Sequence, residues 1–433
     1  MTFKSILLRV ANVLKKGLVR DTLWLLFAQG FGIVLQLAGF TLIARALGVE
    51  AYGTFIGITS FASIAVPFVG LGSGDILIKH VSRSPDSPFQ PLFREYWGRA
   101  LLTTSISGIG LTGLSLLVVN AILPGKAAPL MIGLILLADL LFLKLWDVAT
   151  KAFLAIDRVS LTARIKLFLN FNKLLAAVIL FVFFRDPGLE AWAILYFAST
   201  ALTGVISVLL VNQIVAPPTW RSPRLNSELL QGLYFSISAS ADNINASIDK
   251  TMLASLSTAT AAGLYAAAYR CIDVGSVGLL ALSGAAYAKF FQQGKSGIQG
   301  SLRFAKRLLP LVSAYGIAAC TVFFLLAPVI PYVLGAEYVD SINAVRWLSP
   351  VPLLLSIQYL AADTLTGAGF QGIRSFIQVA AALLNILLNF LLIPDFAWKG
   401  SAWATLMSES FKLISLWAAV GFFYFKPMGD RNS

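Results

Sequence analysis

The sequence predicts an all-α polytopic membrane protein with about 12 transmembrane helices. Three observations predict it. Apolar runs recur along the whole chain, from Leu23–Leu42 to Leu406–Phe425, each close to the roughly 20 residues a helix needs to cross about 30 Å of hydrocarbon. Hydrophobic residues make up 58% of the 433 residues and the mean hydropathy is +0.81, more apolar surface than one water-soluble core could hide. Lys and Arg gather in alternate connecting loops, the pattern of a multi-pass chain.

Segment 1–20 carries Lys4, Arg9, Lys15, Lys16 and Arg20, with Ile6, Leu7, Val10, Val13 and Leu14 on one side. It reads as a basic amphipathic stretch on the cytoplasmic leaflet. A cleavable signal fits less well, because the following apolar run exceeds the about 7–15 residues of such a segment and no small-residue cleavage site follows. Spans are expected near 21–45, 51–78, 96–122, 129–153, 163–184 and 190–215, then near 229–255, 260–290, 305–330, 341–366, 372–393 and 398–425. The even-numbered loops hold Lys79, Arg83, Arg94, Lys151, Arg158, Arg164, Arg221, Arg224, Lys289, Lys295, Arg303, Lys306, Arg307 and Arg374, whereas the odd-numbered loops offer little beyond Arg45, Lys126, Arg185 and Lys399. Both termini, including the tail 426–433, are therefore expected in the cytoplasm. The net charge of +13 follows from this topology, and no nucleic-acid-reading module accompanies it.

Pro217-Pro218-Thr219-Trp220-Arg221-Ser222-Pro223 is the densest proline stretch. It divides an N-lobe, 21–216, from a C-lobe, 229–425, through a cytoplasmic linker, 217–228. A faint repeat at an offset of 210 supports the division: Thr41-Leu42-Ile43-Ala44 matches Thr251-Met252-Leu253-Ala254, and Ala51, Gly53 and Phe55 match Ala261, Gly263 and Tyr265. Halves of six spans share one orientation, as in transporters built from parallel repeats. Chance similarity between apolar helices is the competing explanation.

The loops are too short for a soluble catalytic domain, and the sequence lacks a Walker glycine loop, HExxH and GxSxG. The chain is therefore not expected to be an enzyme or to hydrolyse ATP, and energised transport would draw on an ion gradient, the membrane potential or consumption of product. Cys271 and Cys320 fall inside spans and the single His80 in a basic loop, so no disulfide framework or metal cluster is expected. Gly72-Ser73-Gly74 reads as a place where helices approach closely or the backbone loosens, in preference to a phosphate cradle.

Four stretches carry a family resemblance. They are Leu42-Ile43-Ala44-Arg45-Ala46-Leu47-Gly48-Val49-Glu50-Ala51-Tyr52-Gly53-Thr54-Phe55; Gly70-Leu71-Gly72-Ser73-Gly74-Asp75; Ile248-Asp249-Lys250-Thr251-Met252-Leu253 followed by Gly263-Leu264-Tyr265-Ala266-Ala267-Ala268-Tyr269-Arg270; and Asn385 to Pro394 leading to Gly400-Ser401-Ala402-Trp403-Ala404-Thr405. In order and spacing they resemble the bacterial polysaccharide biosynthesis flippases, the O-antigen branch of the multidrug/oligosaccharidyl-lipid/polysaccharide exporter superfamily. The resemblance implies two six-helix bundles around a central cavity, a bacterial inner-membrane location and alternating access. It also implies an undecaprenyl-pyrophosphate-linked oligosaccharide as substrate, for O-antigen, capsule or exopolysaccharide assembly. Membrane lipids and other envelope glycan-assembly proteins are the further partners it suggests.

Ionisable side chains inside spans cost about 2.5–3.5 kcal/mol each at the helix centre and so mark sites or pairs. Lys173 lies mid-span with no acid at i±3 or i±4, so its partner comes from another helix, a cavity or the substrate; Asn170 and Asn172 lie nearby. Arg270 matches the family's Tyr-Arg motif and suits phosphate, the alternative being a local pair with Asp273. Lys144 with Asp147, and Lys412 with Glu409, read as either cavity cations or neutralising pairs. Asp249 and Lys250 are expected on different sides of their helix, and with Arg45 they are candidates for a periplasmic gate or for interfacial snorkelling. Asp75, Asp242 and Asp363 are expected to be unpaired, hence candidates for exchange of H+ or Na+. Asn385 and Asn389 share one helix face and suit interhelical hydrogen bonding. A flippase for lipid-linked glycan fits best, ahead of a cation-coupled drug exporter and of a membrane-embedded glycan polymerase or acyltransferase.

Overall fold

A computed structural model describes residues 17–83, 89–220 and 227–425. Most of the basic N-terminal segment, linker residues 221–226, the tail 426–433 and the Asp242 side chain lie outside what is described. The described chain is helical throughout, without strands: α1 (Gly17–Ala65), α2 (Ser73–Arg83), α3 (Phe89–Ile122), α4 (Pro129–Leu137), α5 (Leu143–Ala155), α6 (Val159–Phe183), α7 (Leu189–Ile214), α8 (Ser227–Leu256), α9 (Ala259–Gly294), α10 (Ile298–Leu326), α11 (Ile330–Leu334), α12 (Ser341–Leu348), α13 (Val351–Gly367) and α14 (Gln371–Phe425).

Helices stand at all twelve expected spans, but several are broken. The expected single span 51–78 is interrupted, because Pro67 lies in a short 3-10 turn, Val66–Phe68, and Gly70, Leu71 and Gly72 all take left-handed φ values of 76°, 44° and 71°. Three such residues in succession cannot continue a right-handed helix. Gly48 (φ 70°) breaks α1 and Ala397 (φ 48°), just after Pro394, breaks α14, so each long helix comprises two spans. Ser349 and Pro350 separate α12 from α13. Between α4 and α5, residues Ala138–Phe142 form a π-helical segment, a local widening that frees backbone carbonyls. Those carbonyls face glycines: a Cβ on Gly108 would stand 2.9 Å from the Leu140 oxygen, and one on Gly204 2.6 Å from that of Phe142.

Among the described residues seven stretches are long and apolar enough to cross a membrane, two of them being the double-span α1 and α14. The helices α8, α9 and α13 fall outside that set, α8 and α9 being richer in Ser, Asn, Gly and Ala and α13 only 17 residues long. Large apolar side chains point outward, with Leu117, Phe183, Phe376 and Phe425 each more than 70% exposed. Small and hydroxylated ones are buried, among them Thr104, Ser199, Thr200, Thr203 and Ser207. This is the packing of a multi-pass membrane protein, where small residues let helices approach and lipid covers the rest.

The chain divides into two compact units, Met1–Leu47 with Ala65–Ser240, and Gly48–Ile64 with Ala241–Ser433. The division departs from chain order in two stretches: the part of α1 beyond its break belongs to the second unit, and the first half of α8 to the first. The first unit has a core around Leu77, Phe93, Trp97, Val148, Phe153 and Val211. In the second, α10, α13 and α14 bury Leu302, Leu365, Leu416 and Val420, and Phe290 packs with Val312 and Leu360.

Candidate functional site: charged clusters within the helices

In the first unit the π-helical segment carries Asp139, which is buried. Tyr196 of α7 donates to Asp139 Oδ1 at 2.5 Å, and Lys173 Nζ of α6 donates to the Tyr196 hydroxyl at 3.3 Å while standing 4.7 Å from its ring centroid. Lys173 is thus supported by a tyrosine that is itself bound to a carboxylate, an arrangement combining hydrogen-bond and cation–π attraction. One residue before, Asn172 is buried and donates to Thr203. Asn170 accepts a 3.3 Å bond from Gln36 of α1. The partner of Lys173 does come from other helices: Tyr196 on α7 and, through it, Asp139.

Lys144 pairs with Asp147 at 3.1 Å, and Lys151 joins the same carboxylate at 3.7 Å. Lys151 also reaches Asp75 at 2.8 Å, so the expectation of an unpaired Asp75 is corrected. The reason is Gly74: a Cβ there would stand 2.6 Å from Lys151 Cδ, and its absence lets the lysine stem cross α2. This close approach is the role expected for the glycine cluster.

In the second unit Asp249 is 2% exposed and accepts from the Tyr265 hydroxyl at 2.7 Å, which in turn lies 2.9 Å from Thr405 Oγ1. The expectation that Asp249 and Lys250 diverge is corrected. The flexible lysine stem folds back, placing Nζ 3.5 Å from Asp249 Oδ1, 2.6 Å from the Ala246 carbonyl and 4.0 Å from the Tyr269 ring centroid. Lys250 is therefore held inside the unit, its side chain 12% exposed, and is not snorkelling outward. Arg270 is half-buried on the same helix as Tyr265 and Tyr269, three residues before Asp273. Arg45 lies in the first unit, so the three gate candidates are divided between the units.

Glu409 pairs with Lys412 at 2.9 Å, as its spacing allows, and accepts from Gln358 at 2.6 Å. Asp363 is also paired, contrary to expectation: Ser283 donates at 2.7 Å and Arg374 lies 3.6 Å away. Its partners come from α9 and α14, so no spacing along α13 announced them. Asn385 and Asn389 form the expected interhelical bonds. Asn385 Nδ2 donates to Ser408 (3.0 Å) and Ser401 to Asn389 Oδ1 (2.7 Å), pinning the two spans of α14 together, while Asn389 Nδ2 donates to Asn385 Oδ1 (3.0 Å) within the first span. Among the described residues no group of three or more His, Cys, Asp or Glu could hold a metal ion. The sequence reading missed Asp139 and Tyr196 as the support of Lys173, and the only signal for them was an acid placed mid-span.

Solved structures share this fold. The chain is similar to an inward-facing multidrug resistance MATE family transporter of the MOP superfamily (TM-score 0.73, 13% identity, covering 92% of this chain and 96% of that one). It is also similar to the lipid II flippase MurJ in an inward closed conformation (TM-score 0.74, 13% identity, 92% and 87% covered). A third is a MOP superfamily transporter from Pyrococcus furiosus described as having a binding pocket of reversed polarity (TM-score 0.60, 13% identity, 94% and 96% covered). No curated protein matches by sequence. The family profile described as "Polysaccharide biosynthesis protein" matches residues 18–292, more than half the chain. With the MOP transporter fold behind it, that match identifies the chain as a member of the polysaccharide biosynthesis protein family.

Proposed function

We propose that the protein carries an undecaprenyl-pyrophosphate-linked oligosaccharide from the cytoplasmic to the periplasmic leaflet of a bacterial inner membrane by alternating access, as a carrier and not an enzyme. The observation that carries the reading is the set of intramembrane cations, Lys173 on a tyrosine–carboxylate support, Arg270 half-buried on α9 and Lys250 held over the Tyr269 ring. An anionic headgroup leaving water needs fixed positive charge to replace its hydration. The family match and the likeness to a lipid II flippase support the same class of cargo. A strain lacking the protein should accumulate one lipid-linked oligosaccharide by mass spectrometry and lose the corresponding surface glycan. The likeness to multidrug transporters favours drug export as the second reading; unchanged glycan with raised drug sensitivity in that strain would select it.

Orientation is tested separately. In a protein whose native cysteines are replaced by serine, Ala127→Cys in the third loop should react with an impermeant maleimide in intact cells and Ser84→Cys in the second should not. The opposite pattern would place both termini outside.

A further inference from the structure

The hairpin between α9 and α10 carries Lys289, Lys295, Arg303, Lys306 and Arg307, with no Asp or Glu from 285 to 310. All five residues are exposed, and none is ion-paired among the described residues. Elsewhere the cations are neutralised in place, Lys151 by Asp75 and Asp147, Arg99 by Glu95 and Arg374 by Asp363. Arg303, Lys306 and Arg307 share one exposed face of α10 with Leu311 and Ile317, so that face is basic in its first turns and apolar beyond. The same end of α10 packs on the end of α14. Leu302 shares a core with Leu416 and Val420, and Lys306 Nζ stands 5.9 Å from the Tyr424 ring centroid. Tyr424 meets Phe425 edge to face, centroids 5.1 Å apart. Phe425 is in turn a wall of a groove that Ala418, Gly421 and Phe422 complete. Gly421 leaves the groove open, since a Cβ there would meet nothing within 4 Å.

We propose that this corner of the second unit binds one anionic phospholipid, its phosphate on Arg303 and Lys306 and an acyl chain in the Ala418–Phe425 groove. Charge selects the headgroup. Unneutralised cations at the end of a membrane helix draw anionic lipid, each by about fivefold in affinity, and Arg303 adds a bidentate grip on phosphate. The groove selects a lipid over a free anion, because its four lining residues are apolar and an inorganic phosphate would leave them uncovered. A second copy of this chain fits poorly: a two-fold contact would set the same unpaired cations against one another. The site is separate from the cations proposed to meet cargo, and its occupancy requires no transport.

The test is native mass spectrometry of the purified full chain in detergent, titrated with phosphatidylglycerol or with phosphatidylcholine of the same acyl chains. One phosphatidylglycerol should be retained, about tenfold more tightly than phosphatidylcholine. Arg303→Gln and Lys306→Gln should each weaken it about fivefold. Gly421→Leu should weaken it comparably, because the new side chain fills the groove from an open helix face and disturbs no packing. Lys399→Gln, at the opposite end of the second span of α14 and 5.8 Å from the Trp398 ring centroid, should change nothing. Excess inorganic phosphate at constant ionic strength should not displace the lipid. Equal retention of the two lipids, displacement by phosphate, or phosphatidylglycerol unmoved by either the charge variants or Gly421→Leu would overturn the proposal. So would a dimer that Gly421→Leu dissolves, since the groove would then belong to a second copy.

Discussion

Lys173→Ala and Arg270→Ala should each abolish surface glycan while the protein reaches the membrane in normal amount. Each removes a fixed cation from a half-buried position in a helix, and an anionic headgroup that has shed water finds no substitute there. Lys173→Arg should retain partial activity, because a diffuse electrostatic contact needs charge more than shape. Two controls separate cargo contact from structural support. If Lys173 serves only to cover the Asp139–Tyr196 pair, Tyr196→Phe should be as damaging as Lys173→Ala. If Arg270 serves only Asp273, then Asp273→Ala should match Arg270→Ala, and the double variant should regain the stability that each single one loses. Quantitative glycan blots, normalised to membrane abundance, read both. Wild-type glycan in both alanine variants would remove the cationic mechanism and leave the family membership standing.

Leucine at Gly53 or Gly263 should destabilise the second unit by about 3 kcal/mol or more, since overpacking a tight contact costs about 1–3 kcal/mol even where side chains can yield. Here the obstacle is backbone: each glycine lies against a carbonyl of the facing helix, Ala259 for Gly53 and Val49 for Gly263. The reciprocity makes a sharper statement. The two substitutions should lower the thermal midpoint equally, and the double variant should cost less than their sum, because the first already separates the helices. Gly110 and Gly421, with nothing within 4 Å of an added Cβ, should accept alanine with little change.

Much of this was legible in the sequence, and the reasons divide cleanly. Span positions were readable because lipid demands long apolar runs, whatever the tertiary contacts. Pairs one turn apart, Lys144 with Asp147 and Lys412 with Glu409, were readable because helical spacing alone brings them together. The break at Gly70–Gly72 was only half legible: Gly72-Ser73-Gly74 signalled a loosened backbone, but the apolar run of Val66–Val69 up to it read as one continuing span. Partners distant in the chain were hidden as well. Lys151 is 76 residues from Asp75 and Ser283 is 80 from Asp363, and no one-dimensional pattern encodes that proximity. Glu337 was overlooked because the N–H it accepts from, that of Val49 just past the break at Gly48, lies 288 residues earlier. The repeat, weak as a string, gains weight from Gly53 and Gly263, which occupy equivalent places in one reciprocal crossing.

The most direct test is flipping by the purified protein in sealed vesicles. The vesicles carry a fluorescent undecaprenyl-pyrophosphate oligosaccharide, and an enzyme added outside scores which leaflet holds the headgroup. With no nucleotide motif in the chain, the account predicts headgroup transfer without ATP, responsive to an imposed ion or voltage gradient and lost in Lys173→Ala. Transfer that requires ATP, or that proceeds equally in protein-free vesicles and in the Lys173→Ala variant, would contradict it.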